Sequence, residues 1–380
     1  MPVSKPIQVA IASLTIFAIF FGAGNLIYPT FVGLETKGNF MYGFLGFAST
    51  GIFLPLLGLI SMIKIGCKTD EFFALAGKRV STILVVLILL LLGPLGGIPR
   101  CIIVSFEALK IMSSSIRFIH FNLLFGTLTF LLVLRESEVV RIVGKWLTPA
   151  LILGILVIVI AGISSNQVMS DATLTGFSSF TFAALEGYQT MDACAAIFFA
   201  KIILDHFKKE VPESDVLNYS LLSSIFGFFL LGIVYAALLF LGAKYAIALN
   251  EIPKANLFNS LTCLVVGKAS SVVVAFTVFF ACLTTVIALV QLVSKWLTER
   301  AGIDFKLSVC GTVICSMISA SFGFQTLTTL LISILSLLYP ALIVLILCNL
   351  ASGYCQHMRR YSPMIFWLAA AISIYMGAGL

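Results

Sequence analysis

Three stretches of this chain put polar chemistry inside apolar sequence. The first, "IFFGAGNLIYP" (Ile19 to Pro29), places Gly22, Ala23, Gly24, Asn25 and Pro29 inside a run of membrane-spanning length. Glycines loosen a helix, and Pro29 lacks the N–H that would pair with the carbonyl of Asn25. A helix opened there becomes two halves. The half ending near Phe21 turns carbonyl oxygens into the gap, and the half starting near Gly24 turns amide N–H groups into it. One end suits a small cation, the other a carboxylate. The second stretch, "FAALEGYQTMDACAAIFFA" (Phe182 to Ala200), holds Glu186, Gly187, Gln189, Thr190 and Asp192 close together. Polar groups this dense at membrane depth are costly and need partners. Glu186 and Asp192 are candidates for proton relay or for contact with an amine, and Asp192 equally for a structural bond to a neighbouring helix. The third is Arg100 with Glu107. Seven residues is close to two helical turns, so they share a face, as an outer gate pair or as a structural ion pair.

The elements that must position these residues follow from composition. Of 380 residues, 60% are hydrophobic and 10% charged, and the mean hydropathy is +1.13. So little polar surface cannot coat a soluble globule, so the partner solvent is a lipid bilayer. Each spanning helix needs roughly 20 apolar residues. Runs of that kind predict eleven spans, at about 7–34, 40–65, 79–112, 116–134, 139–163, 179–201, 216–243, 267–296, 306–320, 325–349 and 361–379. The first run exceeds a signal-peptide core and more spans follow, so it reads as a retained helix. The longest polar interruption, "KIILDHFKKEVPESDVLN" (Lys201 to Asn218), is too short for a soluble domain and reads as a solvated loop ending in a cap at "SDV".

With the N-terminus cytoplasmic, the outer side carries only Lys37, Lys110, Arg117, Lys244, Lys254 and Lys268, and Arg100 lies inside a span. The other basic residues fall on the inner side, which is the bias of a cytoplasmic N-terminus. The net charge of +7 is then an orientation signal and calls for no nucleic-acid partner. The cysteines lie mostly in apolar runs without metal-ligand spacing and read as small buried hydrophobes. His120, His206 and His357 sit at helix ends or loops, away from any relay. The sequence carries no signal for an oligomeric state.

The second break comes five spans after the first. A five-helix unit that starts inside is followed by one that starts outside, so residues 1–163 and 179–349 read as two repeats of inverted topology, with 361–380 as an additional C-terminal helix. Broken segments at matching places in two such units point to a transporter site at their interface. Packing kinks at small residues are the plainer alternative. The fold expected is an all-α polytopic membrane protein with discontinuous helices one and six.

In order along the chain, "FFGAGNLIYP", "GPLGGIPRCIIVSFEAL" (Gly93 to Leu109) and "EGYQTMDACAAIFF" resemble the bacterial branched-chain amino acid:cation symporter family. The resemblance implies the five-plus-five architecture of sodium-coupled amino acid transporters in the bacterial cytoplasmic (inner) membrane. It implies import of leucine, isoleucine and valine, with sodium as the coupling ion and no other cofactor. Members of that family usually have a twelfth helix, so the departure falls at the C-terminal end. "FFACLTTVIALVQ" (Phe279 to Gln291) is similar to the span of sodium:neurotransmitter-type symporters that carries a sodium site. Carried over, the ligands are the Ala281 carbonyl, the hydroxyls of Thr284 and Thr285, and the carbonyls of Ala18 and Phe21. Ala281, Thr284 and Thr285 share one helix face, and five oxygens without a compulsory carboxylate suit an exchangeable monovalent cation. Alternatively, the two threonines bond back to their own helix. The proline follows Asn25 one residue sooner than in the neurotransmitter-type motif. For the substrate, the resemblance puts the carboxylate at the N–H groups of Gly22 to Asn25. It faces the ammonium with Gly187, Tyr188, Gln189 and Thr190.

Coupling to protons through Glu186 or Asp192 is the alternative within transport. An intramembrane enzyme lacks a paired-acid, metal-helix or Ser/His signature here, and a channel lacks filter repeats.

Overall fold

The computed structural model describes residues 5–110, 115–135 and 148–352, so the eleventh expected span and residues 139–147 of the fifth lie outside the described residues. Among the described residues every regular element is a helix. The first span is two helices, α1 (Lys5–Phe20) and α2 (Ala23–Thr36), separated at Phe21 and Gly22. Pro29 is not the breaker: it lies inside α2, which continues through it. The second span runs as α3 (Phe40–Ala48), a π turn at Ser49–Phe53 and α4 (Leu54–Lys64). A short α5 (Thr69–Phe73) follows. The third span bends between Leu92 and Gly97, as α6 (Lys78–Leu92) and α7 (Gly97–Lys110), and α8 (Phe118–Leu134) and α9 (Thr148–Ile163) complete the first half.

The sixth span is again two helices, α10 (Gly176–Gly187) and α11 (Asp192–Glu210), joined by a 3-10 turn at Tyr188–Thr190. The anticipated loop after it is corrected. α11 runs to Glu210 and α12 (Glu213–Lys244) begins three residues later, so only Val211 and Pro212 are outside a helix. Pro212 occupies the cap position, and Glu213 and Asp215 in the first turn of α12 favour its positive end, while Ser214 and Asp215 do not cap it. The segment after α12, which falls between the seventh and eighth expected spans, contains α13 (Ala246–Leu249) and the start of α14 (Leu257–Ala301). α14 is interrupted at Gly267 (φ 78°), the residue where the eighth span was expected to start. α15 (Phe305–Ala320), capped by Asp304 on the amides of Lys306 and Leu307, and α16 (Phe324–Ser352) finish the described chain.

Two helix pairs make backbone contact and fix how the halves interlock. α2 lies against α12, where a Cβ on Gly33 would sit 1.9 Å from the Leu239 carbonyl oxygen. α3 lies against α10, where a Cβ on Gly46 would sit 2.1 Å from that of Phe180. Without hydrophobic drive between helices in lipid, such small-residue approaches are what make packing tight. The pairings are counterparts: the first helix of one unit on the second of the other, twice over, as an inverted repeat requires. Large apolar side chains remain exposed around the outside, among them Leu124, Ile160 and Phe229, forming the lipid-facing surface. Among the described residues five helices are long and apolar enough to cross a membrane, and four apolar helices are shorter.

Candidate functional site

The break between α1 and α2 is made by local hydrogen bonding. The Gly22 amide donates to the Phe20 carbonyl (3.0 Å) and to Asn25 Oδ1 (3.2 Å) rather than to the Ala18 carbonyl one turn back. The Asn25 amide donates to the Gly22 carbonyl (3.2 Å) rather than to that of Phe21. The break therefore releases the Ala18 and Phe21 carbonyls from the helical pattern. Gly22 lies directly on α14: a Cβ there would be 3.1 Å from Thr285 Cγ2 and 3.3 Å from its Oγ1. On α14 the hydroxyls of Thr284 and Thr285 both donate to the Ala281 carbonyl, at 2.7 and 3.1 Å. The Ala281, Thr284 and Thr285 oxygens are thus clustered in the back-bonded arrangement common to intramembrane threonines, with Thr285 against the first break.

The second break closes differently. The Thr190 hydroxyl donates to the Gly187 carbonyl (3.0 Å) and accepts from the Asp192 amide (3.3 Å). Met191 between them adopts a left-handed conformation (φ 59°), which costs a non-glycine residue about 1–2 kcal/mol. Asp192 is the first residue of α11, where a carboxylate complements the helix N-terminus. Its Oδ2 accepts from Asn25 Nδ2 (2.7 Å) and from the Tyr235 hydroxyl (3.0 Å), and Asn25 Nδ2 also meets the Tyr235 oxygen. All three side chains are buried. Asn25 therefore ties the two breaks together, with its Oδ1 on the first and its Nδ2 on the second.

Between the breaks lies a cavity of about 40 Å³, lined by Gly22 to Asn25, Thr190 to Asp192, Arg100 and Cys101 of α7, and Thr285. A larger cavity of about 690 Å³ begins at Ala18 and Thr284 and runs past Gln291 to Lys295, Glu299 and Thr69 at the Lys5 face. On the opposite side the path is blocked. Arg100 Nη1 donates to the Tyr28 hydroxyl (2.9 Å), Lys254 pairs with Glu186 (3.4 Å), and the same ammonium lies 3.5 Å from the centre of the Phe31 ring. The conformation is open toward the Lys5 face and shut toward the other.

The residues singled out from sequence therefore divide. Gly22, Ala23, Gly24, Asn25 and Thr190 line the central cavity. Gly187, Tyr188 and Gln189 turn away from it: Gly187 packs on Thr50, Tyr188 stacks on Tyr339 with ring centres 4.1 Å apart, and Gln189 is buried with Oε1 unpartnered among the described residues. Ala18 and Thr284 line the larger cavity, Thr285 the central one, and Phe21 is fully buried. Arg100 bonds Tyr28 and does not pair with Glu107, which lines a separate outer cavity with Lys110. Glu186 holds the outer closure. Tyr235 escapes the sequence reading, and Lys254 enters it only as an outer-side charge. A lone phenol in the run "FFLLGIVYAALLF" was the available signal, since a buried hydroxyl in a span needs a partner. Among the described residues no three His, Cys, Asp or Glu side chains gather as a metal site.

Comparison with known proteins identifies the family and the fold. Residues 5–379 match the family model described as branched-chain amino acid transport protein. The branched-chain amino acid permease BraB of Bacillus subtilis is 32% identical over 350 residues, which cover 89% of this chain and 79% of that one. The branched-chain amino acid transport system 2 carrier protein of Pseudomonas aeruginosa is 28% identical, covering 96% and 85%. Among solved structures, Mhp1, a nucleobase-cation-symport-1 family transporter with bromovinylhydantoin bound, superimposes with a TM-score of 0.64 at 11% identity, covering 97% of this chain and 92% of that one. MhsT in complex with L-phenylalanine gives 0.63 at 14% identity, covering 97% of each. The fold is the five-plus-five inverted-repeat transporter fold with broken first and sixth helices. The chain is an integral membrane transporter, not an enzyme, and it belongs to the branched-chain amino acid transport protein family.

Proposed function

We propose that this transporter imports leucine, isoleucine and valine by symport with sodium, across the bacterial cytoplasmic membrane with its N-terminus in the cytoplasm. The substrate occupies the central cavity between the two breaks. The coupling ion sits beside it, on the released carbonyls of Ala18 and Phe21 and the Ala281, Thr284 and Thr285 oxygens. The observation that carries the reading is the seating of Gly22 on Thr285, because it brings the first break and the α14 oxygens into one place. A cation there neutralises the carbonyl end of α1 and draws both threonine hydroxyls from back-bonding. In this conformation the larger cavity, reaching from Ala18 and Thr284 to the Lys5 face, is the release path for ion and substrate. Alternating access closes that path and parts the Arg100–Tyr28 and Glu186–Lys254 contacts on the other side.

A second reading couples transport to protons through Asp192, a carboxylate buried at the central cavity. One experiment separates the two. Proteoliposomes containing the purified protein are loaded so that a sodium gradient and a pH gradient are imposed separately, and uptake of labelled leucine is followed with unlabelled amino acids as competitors. The sodium reading expects accumulation with the sodium gradient alone and competition by isoleucine and valine. Accumulation driven by the pH gradient and indifferent to sodium contradicts it.

A further inference from the structure

Arg100 is 3% exposed and sits at the wall of the central cavity. A guanidinium carries five N–H donors and a permanent charge. Here one of them reaches a neutral group, the Tyr28 hydroxyl. Among the described residues no carboxylate lies within 4.0 Å of it. Asp192 shares the same lining and is equally buried at 3%. Asn25 and Tyr235 donate to its Oδ2, and the Thr190 hydroxyl, which donates to the Gly187 carbonyl, also lies beside the carboxylate. Isolated buried charges are expensive, and two of opposite sign that face one cavity without pairing leave room for a ligand that pairs with both. An α-amino acid zwitterion has that charge pattern.

We infer that Arg100 binds the α-carboxylate of the substrate and Asp192 its α-ammonium, so that the head group is held by two side-chain charges, with the α2 amides as secondary donors. This rests on the reading of the central cavity as the substrate site and goes beyond it by giving the ammonium to Asp192 in place of Gly187 to Thr190, and by giving Arg100 a ligand. Tyr28 is then the group that occupies the guanidinium once the carboxylate has left. The bidentate fork of arginine matches a carboxylate geometrically, whereas an ammonium can donate to Asp192 Oδ1 without disturbing Asn25 or Tyr235.

Titration calorimetry on the purified full-length protein at fixed sodium tests this with leucine, leucinamide, which lacks the carboxylate, and 4-methylpentanoate, which lacks the ammonium. The wild type is expected to bind leucine about 30- to 100-fold tighter than either analogue. Arg100→Gln should lose that factor for leucine and leave leucinamide unchanged, and Arg100→Lys should recover part of it. Asp192→Asn should weaken leucine and leave 4-methylpentanoate unchanged. An Arg100→Gln protein that weakens leucine and leucinamide equally assigns Arg100 a structural role and overturns the inference. Should a variant unfold, a structure of wild type with leucine decides: the carboxylate on the Arg100 guanidinium supports the inference, and a carboxylate on the α2 amides with Arg100 still on Tyr28 overturns it. Failure of leucine to bind where another α-amino acid does contradicts the branched-chain reading alone, and the same comparison then runs on that amino acid and its amide. Binding of no α-amino acid overturns both.

Discussion

The two broken helices open the membrane core with different materials. The first break uses backbone: Gly22 in an extended conformation pressed against Thr285, with main-chain carbonyls released on the α1 side. The second uses side chains: a 3-10 turn stitched by Thr190, a left-handed Met191, and a carboxylate at the start of α11 held from two other helices. Neutral carbonyl oxygens suit a weakly held ion that must come off again, while a fixed charge suits a ligand recognised by its own charge. In the proposed function the ion accordingly goes to the first break, and the ammonium to the second.

The largest effect that tests this contrast is expected at the second break. Asp192→Ala leaves the Asn25 amide and the Tyr235 hydroxyl buried without their shared acceptor, and should lower stability by about 2–4 kcal/mol, read as a lower thermal midpoint in detergent. An unchanged midpoint would mean that the network does not hold α11. Next is Gly22→Val, which drives a branched side chain into Thr285 and should cost about 1–3 kcal/mol by overpacking, with a raised sodium requirement for uptake. The milder Gly22→Ala should be relieved by Thr285→Ser, because the atom it meets most closely is the threonine methyl. Absence of rescue in the double variant would place the strain elsewhere. Tyr235→Phe removes one hydrogen bond to Asp192, for about 1 kcal/mol, and should weaken leucine binding without altering sodium activation. The smallest effect separates the breaks by sign. Met191→Gly relieves a left-handed residue and should be neutral or stabilising by up to about 1 kcal/mol, whereas glycine is what the first break cannot lose.

The sequence made both breaks legible because helix breakers and clustered polar groups stand out against long apolar runs, and the same runs located most spans to within a few residues. Reading along the chain, however, does not show which way a residue turns. Tyr188 and Gln189 stand in the second break in sequence, yet the 3-10 turn aims them at α16 and the protein interior. Arg100 and Glu107 share a helix face, but the partner that decides the fate of Arg100 is Tyr28, from another helix. Tyr235 meets Asp192 from 43 residues away, a contact that no local pattern encodes. Charged sequence after Lys201 reads as loop by its polarity. Its residues instead extend α11 and begin α12, beyond the apolar part of each span.

The sodium activation curve of leucine uptake, compared between wild type and Thr285→Val, tests the central claim most directly. The substitution removes one oxygen ligand while preserving the shape that seats Gly22. The half-activating sodium concentration is predicted to rise roughly tenfold, in line with the loss of one polar ligand contact, with leucine affinity at saturating sodium nearly unchanged. Superimposable sodium curves for the two proteins would contradict a cation site on Ala18, Phe21, Ala281, Thr284 and Thr285.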